Sequence, residues 1–343
     1  MRGRPKVPEA RALSKPLLSV LEICAGAGGQ ASGLERAGFV HAAAVEIEPE
    51  FCRTLRTNRP AWNVIEKDVR ELDGRKFRGI DLLAGGVPCP PFSIAGKQLG
   101  EDDERDLFPA AIRLIEQARP EAVMLENVRG LAGSRFQEYR ERVLSALYRL
   151  GYEPHWQVLN ASEFGVPQLR PRFVLVALKQ KTARWFRWPG AQDTPPTVGQ
   201  AIGDLMAERG WKGAMRWAAK AGGIAPTIVG GSKKHGGPDL GPTRARQEWR
   251  LLGVDGLGIA DEAPDASKPV NFLPRLTLQM VARLQGFEDG WTFAGRKTAA
   301  YRQIGNAFPP PFAAAVGSSI YAAITGKRFA ADEDRYGRNF RLG

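Results

Sequence analysis

The 343-residue chain contains few cysteines and histidines, three of each. The cysteines, Cys24, Cys52 and Cys89, show no CxxC spacing, so neither a zinc site nor a disulfide framework is expected. The chain also lacks any run of about 18 apolar residues, and a transmembrane helix is therefore not predicted. The scarcity of cysteine suits a reducing compartment, and we expect a cytoplasmic protein without a metal site.

Acidic residues are outnumbered by basic ones. Lysine and arginine total 49 against 37 aspartates and glutamates, which gives a formal net charge of +12. Such an excess favours a polyanionic partner, because phosphate contacts release counterions. Residues 1–15 are basic and contain proline but lack the apolar core of a secretory signal, so we expect a disordered arm.

Short apolar strands alternate with helical segments between residues 17 and 178. This alternation predicts an α/β fold with a doubly wound, mostly parallel sheet. After Lys179 the texture changes to an irregular stretch rich in glycine, proline and tryptophan. We therefore expect a catalytic and cofactor-binding domain over 16–180 plus 300–343, and a smaller, irregular domain over 181–299.

A glycine-rich turn follows the first predicted strand. Residues 24–29, Cys-Ala-Gly-Ala-Gly-Gly, precede a helix and would let a ligand approach the backbone at the helix N-terminus. Glu46 ends the next strand, about 20 residues after the glycines, where a carboxylate can bind ribose hydroxyls. The same pattern suits NAD or a plain turn. Asp68 could accept from an adenine amino group or cap a helix.

Cys89 lies in the segment Gly85-Gly86-Val87-Pro88-Cys89-Pro90-Pro91-Phe92-Ser93, just after a predicted strand over 80–84. Prolines hold this cysteine on a stiff loop at the sheet edge where α/β proteins bind ligands. A cysteine displayed there is a candidate nucleophile, although free cysteine is more often a small buried hydrophobe. The polar segment from Ser93 to Asp106 is predicted to be a loop that closes over a substrate.

Other polar residues follow two later strands. Glu126 ends the predicted strand over 121–125, so it is expected at the same sheet edge as Cys89, where a thiol and a carboxyl suggest covalent catalysis. Arg170 and Arg172 stand two residues apart on an extended segment and are predicted to point the same way. They could clamp a phosphate or a base edge, or form a solvated basic face.

The stretch 181–275 carries scattered basic and aromatic residues, including Trp185, Trp188, Trp211, Trp217 and Trp249. Glycine-rich loops with such residues suit DNA contact, but they would also fit an irregular domain of any purpose. Further on, Gly305-Asn306 before a triple proline predicts a rigid turn that leads into an apolar helix over 312–324.

Taken in order, these blocks resemble the DNA cytosine-5 methyltransferases over about 17–178 and 275–325. Six blocks in the family's order carry the resemblance: Ala25–Gly29, Pro88-Cys89 with Phe92-Ser93, Glu126-Asn127-Val128, Gln168-x-Arg170-x-Arg172, Arg283–Phe287 and Gly305-Asn306. The resemblance implies a class I methyltransferase fold of Rossmann type with S-adenosylmethionine as cofactor and S-adenosylhomocysteine as product. It also implies that 181–275 is the target-recognition region.

The resemblance carries roles over to named residues. The implied catalytic residues are Cys89, Glu126, Arg170 and Arg172. The implied cofactor-binding residues are Cys24, Ala25, Gly26, Ala27, Gly28, Gly29, Glu46, Ile47, Asp68, Val69, Pro88, Leu107, Asn306 and Ala307. Candidate DNA-binding residues are Ser93, Lys97, Gln98, Thr227, Lys233, Lys234, Arg244 and Arg246.

Three positions depart from the family pattern. Cys24 stands where an aromatic residue is common, Ile47 where tryptophan often follows the ribose-binding glutamate, and Met280 in place of a carboxylate. The first two should thin the packing around the cofactor without removing its polar anchors. None of the three removes a catalytic group.

The implied reaction methylates carbon 5 of a cytosine flipped out of double-stranded DNA, through a covalent adduct with Cys89. The expected setting is the bacterial cytoplasm, near the nucleoid. A monomer is expected, with a possible cognate restriction endonuclease as partner and no membrane. Methylation of tRNA cytosine, a non-catalytic DNA-binding relative and an NAD dehydrogenase remain alternatives. The sequence does not disclose the recognition site or the base that removes the carbon-5 proton.

Overall fold

The computed structural model describes residues 17–88, 106–191, 194–231 and 237–326. Within these ranges the strands are β1 (Leu18–Ile23), β2 (Phe39–Glu46), β3 (Val64–Glu66), β4 (Leu82–Gly86), β5 (Ala122–Val128), β6 (Tyr152–Asn160) and β7 (Pro171–Lys179). The helices are α1 (Gly29–Ala37), α2 (Pro49–Asn58), α3 (Phe108–Ala118), α4 (Gln137–Arg149), α5 (Gln180–Ala183), α6 (Val198–Ala207), α7 (Ala214–Lys220), α8 (Thr243–Leu251), α9 (Leu278–Leu284), α10 (Lys297–Asn306) and α11 (Pro310–Thr325).

The strands form one sheet in the order β3-β2-β1-β4-β5-β7-β6. The five strands from β3 to β5 are parallel, and β7 pairs antiparallel with both β5 and β6. This confirms the predicted α/β fold with a mostly parallel sheet. The chain runs outward from β1 to β3 and then returns to β4 on the other side of β1. Ligands bind at such a switch point, at the carboxyl ends of the strands.

Helices cover both faces of the sheet. On one face Val20 packs with Leu34 of α1 and Phe312 of α11. On the other face Leu21 packs with Leu114 of α3. Successive strand residues therefore enter opposite cores, as the two-residue period of a strand requires. Burial on both faces explains why the central strands read as continuous apolar runs.

The stretch after residue 197 is more regular than predicted. Helices α6, α7 and α8 occupy part of the region expected to be irregular, and that expectation is wrong for them. A capping signal marks the first: the Thr197 hydroxyl accepts from Gln200 N, and the Gln200 side chain accepts from Thr197 N. Trp211, Trp217 and Trp249 are buried together rather than displayed for DNA.

Gly305 and Asn306 are the last two residues of helix α10, so the predicted rigid turn at these positions is wrong. The helix continues because Tyr301 and Ile304, three residues apart, both pack into the apolar cluster of 198–304. Helix α11 begins at Pro310, two residues earlier than predicted, since proline is tolerated in the first turn. Phe308 and Phe312 then pack in the apolar core on one face of the sheet. The division of the chain into two domains stays a prediction.

Candidate active site

The glycine turn between β1 and α1 has a strained, compact backbone. Cys24, Gly26 and Gly28 have positive φ angles of 52°, 57° and 87°. This conformation is easy for glycine and unfavourable for Cys24. A Cβ at Gly29 would lie 2.4 Å from the carbonyl oxygen of Phe308, so only glycine fits there. The turn therefore directs the start of α1 at the carboxyl edge of the sheet.

Glu46 is fixed at the end of β2 by three backbone N–H groups. Its Oε2 accepts from Gly26 N at 2.7 Å, and its Oε1 accepts from Ile47 N and Glu48 N, each at 2.9 Å. Burial raises the pKa of the Glu46 carboxyl, and the three hydrogen bonds oppose that rise. The carboxylate thus has a set orientation beside the glycine turn, with acceptor capacity left for a ligand diol.

Asp68 fulfils its capping role. Its carboxylate accepts from Arg70 N at 2.8 Å, at the start of the short 3-10 helix Val69–Glu71. It also forms an ion pair with the Arg70 guanidinium at 2.6 Å, and these contacts lower the pKa of Asp68. Val69 is buried beside it, whereas the Ile47 side chain is half exposed. Contacts of these three residues with adenosine stay a prediction.

A small cleft of about 80 Å³, open to solvent, lies between the glycine turn, the ends of β4 and β5, and the end of α10 with the segment that follows it. Predicted catalytic Glu126 lines it, together with seven predicted cofactor-binding residues: Cys24, Ala25, Gly26, Ala27, Gly29, Asn306 and Ala307. The sequence reasoning missed six others: Glu22, Gln30, Phe51, Gly86, Gln303 and Phe308. Glu22 carried a usable signal, since a carboxylate inside an apolar strand needs a reason.

The ends of β4 and β5 reach this cleft. Gly86 pairs with Glu126 in the sheet, and a Cβ at Gly86 would lie 3.2 Å from Glu126 Oε2. Two bonds fix the chain just beyond: Asn127 Nδ2 donates to Val87 O at 2.7 Å, and Leu107 N donates to Pro88 O at 3.2 Å. Cys89 follows Pro88 directly and lies outside the described residues.

Glu126 is buried at the end of β5 and forms an ion pair with Arg172, with 2.8 Å between its Oε1 and Arg172 Nε. Desolvation raises the pKa of the Glu126 carboxyl, while the positive charge of Arg172 opposes the rise. A buried carboxyl with a raised pKa can retain or deliver a proton near neutral pH. Glu126 and Arg172 therefore form a unit suited to proton transfer.

Arg170 has different partners. Its guanidinium donates to the backbone carbonyls of Ile228 at 2.6 Å, Gly305 at 2.8 Å and Ala307 at 2.9 Å, and the residue is fully buried. The prediction that the two arginines together clamp a phosphate or a base edge is therefore wrong in the described structure. Arg170 instead ties β7 to α10 and to the segment around Ile228, because its two terminal nitrogens donate to these carbonyls.

The predicted DNA-binding residues are distributed unevenly. The Thr227 hydroxyl donates to Leu169 O at 2.5 Å, so this side chain holds the backbone. Asn306, a predicted cofactor-binding residue, donates nearby from Nδ2 to Gly231 O at 3.1 Å. Arg244 on α8 is 92% exposed, and Arg246 donates to Gly241 O. Ser93, Lys97, Gln98, Lys233 and Lys234 lie outside the described residues.

Among the described residues, no helix is long and apolar enough to cross a membrane. The same part of the chain contains no cluster of histidine, cysteine, aspartate and glutamate arranged to hold a metal ion.

The model of the family C-5 cytosine-specific DNA methylase matches residues 18–236 and 240–322. The chain is 57% identical over 325 residues to the Type II methyltransferase M.NaeI of Lentzea aerocolonigenes, covering 92% of this chain and 79% of that protein. It is 54% identical over 307 residues to the Type II methyltransferase M.NgoMIV of Neisseria gonorrhoeae, covering 89% and 97%. The solved S. pombe Dnmt2 methyltransferase matches with a TM-score of 0.61 at 18% identity, covering 90% and 99%, a likeness of fold.

Proposed function

The chain belongs to the C-5 cytosine-specific DNA methylase family, with close similarity to Type II methyltransferases, and we propose that it methylates cytosine through a covalent adduct with Cys89. The observation that supports this most is the buried Glu126–Arg172 pair. It lies beside Gly86, three residues before Cys89, and Glu126 lines the same cleft as the glycine turn.

S-adenosylmethionine would supply the methyl group as an electrophile bound in this cleft. Two features of the chain fit such a cofactor: a glycine turn that leaves room at Gly26, and the Glu46 carboxylate held by three backbone N–H groups. In the proposal Glu46 binds the ribose hydroxyls, and Asp68 accepts from the adenine amino group while keeping its bond to Arg70.

The proposed chemistry begins with the Cys89 thiolate, which adds to carbon 6 of cytosine and breaks the conjugation of the ring. Glu126 protonates ring nitrogen 3 and accepts from the exocyclic amine, so that electron density reaches carbon 5. Carbon 5 would then take the methyl group from the sulfonium of the cofactor, whose C–S bond breaks to leave S-adenosylhomocysteine, and ring nitrogen 3 would return its proton to Glu126. Loss of the carbon-5 proton, to water in this proposal, re-forms the double bond and expels the thiolate.

Arg172 has a defined part in this scheme. Its guanidinium holds Glu126 Oε1 at 2.8 Å, which leaves the other oxygen for the base. Its positive charge also offsets part of the burial that raises the pKa of Glu126. Arg172 thereby holds the pKa of Glu126 in a range where the carboxyl can both carry a proton and release it to the base.

The proposed substrate is double-stranded DNA with the target cytosine flipped out of the helix, because attack on carbon 6 comes from above the ring plane. The net charge of +12 favours binding to the phosphate backbone. A cytoplasmic monomer acting with a cognate endonuclease on the same site completes the proposal. Arg244 and Arg246 remain candidate DNA contacts.

The test compares wild type with Cys89→Ser in a tritiated-methyl transfer assay on duplex DNA. Cys89→Ser should lose methyl transfer to DNA and keep DNA binding in a gel-shift assay, because a serine hydroxyl is not ionised near neutral pH. Cys52→Ser is the matched control, since Cys52 is buried and donates only to the carbonyl of Glu46 at 3.4 Å. That variant should retain transfer.

Two outcomes would contradict the proposal. Transfer by Cys89→Ser at the wild-type rate would remove the covalent step. Methyl incorporation into tRNA but not into duplex DNA would show that tRNA, and not DNA, is the substrate. Bisulfite sequencing of DNA from cells that express the protein would then identify the methylated site, if DNA is the substrate.

A further inference from the structure

Gln30 is a buried amide that has no hydrogen-bond partner among the residues that the structure describes. It is the second residue of α1, directly after the glycine turn, and only 4% of the residue is exposed. Both its Oε1 and its Nε2 lack hydrogen-bond partners, and the residue lines the cleft between the turn and Glu126. Buried amides are almost always hydrogen-bonded, so this one requires an explanation.

The fold itself gains nothing from an amide at this position. Burying its donors and acceptor without partners costs free energy, which an apolar side chain of the same length would not. The other glutamine that lines the cleft is satisfied. The Gln303 amide accepts from Thr54 Oγ1 at 2.5 Å and donates to Ala294 O at 2.7 Å. Gln30 therefore differs from the other glutamine that lines the same cleft.

A second unpartnered polar atom lies in the same cleft. Glu22 is 1% exposed, and its Oε2 contacts His41 Nε2 at 3.0 Å, while its Oε1 has no partner. The cleft thus offers an amide donor, an amide acceptor and a carboxylate acceptor at the start of α1. The partial positive charge of a helix N-terminus additionally favours an anionic group there.

We propose that the side-chain amide of Gln30 binds the amino-acid end of the cofactor, with Nε2 donating to its carboxylate and Oε1 accepting from its ammonium. This inference rests on the proposed function. The ribose is assigned to Glu46, and the reacting sulfur must face the cytosine that Glu126 holds. The zwitterionic end is then left for the start of α1, and it needs a donor and an acceptor, which one amide supplies.

Two ligands separate this role from a general effect on the cleft. S-adenosylhomocysteine carries the amino-acid end, whereas 5′-methylthioadenosine has the same adenosine and sulfur without it. Isothermal titration of the full chain with both ligands would be compared for wild type, Gln30→Leu and Gln30→Glu. Gln30→Met, which keeps the length of the side chain, serves if Gln30→Leu does not fold.

Gln30→Leu should weaken S-adenosylhomocysteine binding roughly tenfold to a hundredfold, as expected for lost hydrogen bonds to charged groups. Binding of 5′-methylthioadenosine should not change. The melting temperature without ligand should be equal to wild type or higher, because a buried unpaired amide has been removed. Gln30→Glu should weaken S-adenosylhomocysteine further through repulsion of the carboxylates, with methylthioadenosine again less affected.

Three results would overturn the proposal. Equal weakening of both ligands would show that Gln30 shapes the cleft without contacting the amino-acid end. A lower melting temperature without ligand, together with unchanged affinities, would show a structural role. If wild type binds neither ligand, the cofactor assignment fails and the inference fails with it. If wild type binds S-adenosylhomocysteine and Gln30→Leu binds it with the same affinity, only the inference is refuted.

Discussion

Arg170 and Arg172 are two residues apart in the chain, yet they serve different regions of the molecule. Arg172 is bound to a carboxylate, Glu126, at the edge of the cleft. Arg170 is bound to three backbone carbonyls from the second half of the chain and is fully buried. The first region can change its charge during a reaction, and the second cannot.

The difference shows that the partner of a guanidinium group decides its role. A carboxylate partner has a pKa, so an arginine beside it adjusts the protonation of that group. A carbonyl partner has none, so Arg170 mainly orients and holds the backbone, and its charge opposes the raised pKa of Glu126 without a direct hydrogen bond. We therefore expect loss of Arg172 to alter pH dependence, loss of Arg170 to alter stability, and loss of Glu126 to reduce turnover most.

The largest effect is expected from Glu126→Gln, which removes the titratable carboxyl beside Arg172. An amide can still hydrogen-bond to a base but cannot transfer a proton to ring nitrogen 3. We expect turnover to fall by about 10³ to 10⁴, or about 4 to 5.5 kcal/mol in the barrier. Single-turnover methyl transfer to duplex DNA would measure this.

Glu121→Gln is the control for that variant. Glu121 immediately precedes the opposite end of β5 and is paired with Lys179 at 2.8 Å and Lys181 at 3.1 Å, away from the cleft. Its replacement should leave turnover unchanged. A Glu126→Gln enzyme that retains more than a tenth of wild-type turnover would show that proton transfer by this carboxyl is not required.

The fold and the polar anchors at the sheet edge were predictable from sequence because they depend on local patterns. Apolar runs separated by helical segments specify a parallel sheet, and a residue that follows a strand lies at its carboxyl edge. Glu46 and Glu126 were found in this way. The glycine turn was found because positive φ angles favour glycine.

Other features depend on contacts between distant parts of the chain. The different partners of Arg170 and Arg172 arise from carbonyls that are 58 to 137 residues from Arg170 in sequence. Gly305 and Asn306 end a helix because Tyr301 and Ile304 pack into the apolar cluster of 198–304. Gln30 looks unremarkable in sequence, and only its burial without a partner draws attention to it. Spacing along the chain contains none of this information.

A smaller effect is expected from Arg170→Met, which breaks the structural side of the comparison. Methionine fills much of the space but removes a donor from three carbonyls, of which Ala307 O keeps a second donor, Gln285 Nε2, at 2.7 Å. We expect the free energy of unfolding to fall by about 3 kcal/mol, measured by urea denaturation. Arg184→Met is the control, because Arg184 stacks on the exposed Trp185 at 5.0 Å and should cost little. Unchanged stability of Arg170→Met would show that these carbonyls find other donors.

The smallest effect is expected from Arg172→Met, which tests how Arg172 sets the pKa of Glu126. Burial already raises the pKa of Glu126, and Arg172 opposes this, so its removal should raise that pKa further. Because the protonated carboxyl is the active form, the alkaline fall in turnover should move to higher pH.

Turnover of Arg172→Met at neutral pH should drop only about tenfold, or about 1.4 kcal/mol, since the carboxyl keeps its proton but loses its orientation.

The free energy of unfolding of Arg172→Met should also depend on pH. A carboxyl whose pKa is raised on folding stabilises the protein below its unfolded pKa, and this contribution disappears as the pH rises through the folded value. Unfolding of Arg172→Met should therefore become easier towards alkaline pH. The turnover profile of Glu126→Gln should lack the alkaline fall altogether, and a profile of Arg172→Met that moves to lower pH would assign the titration to another group.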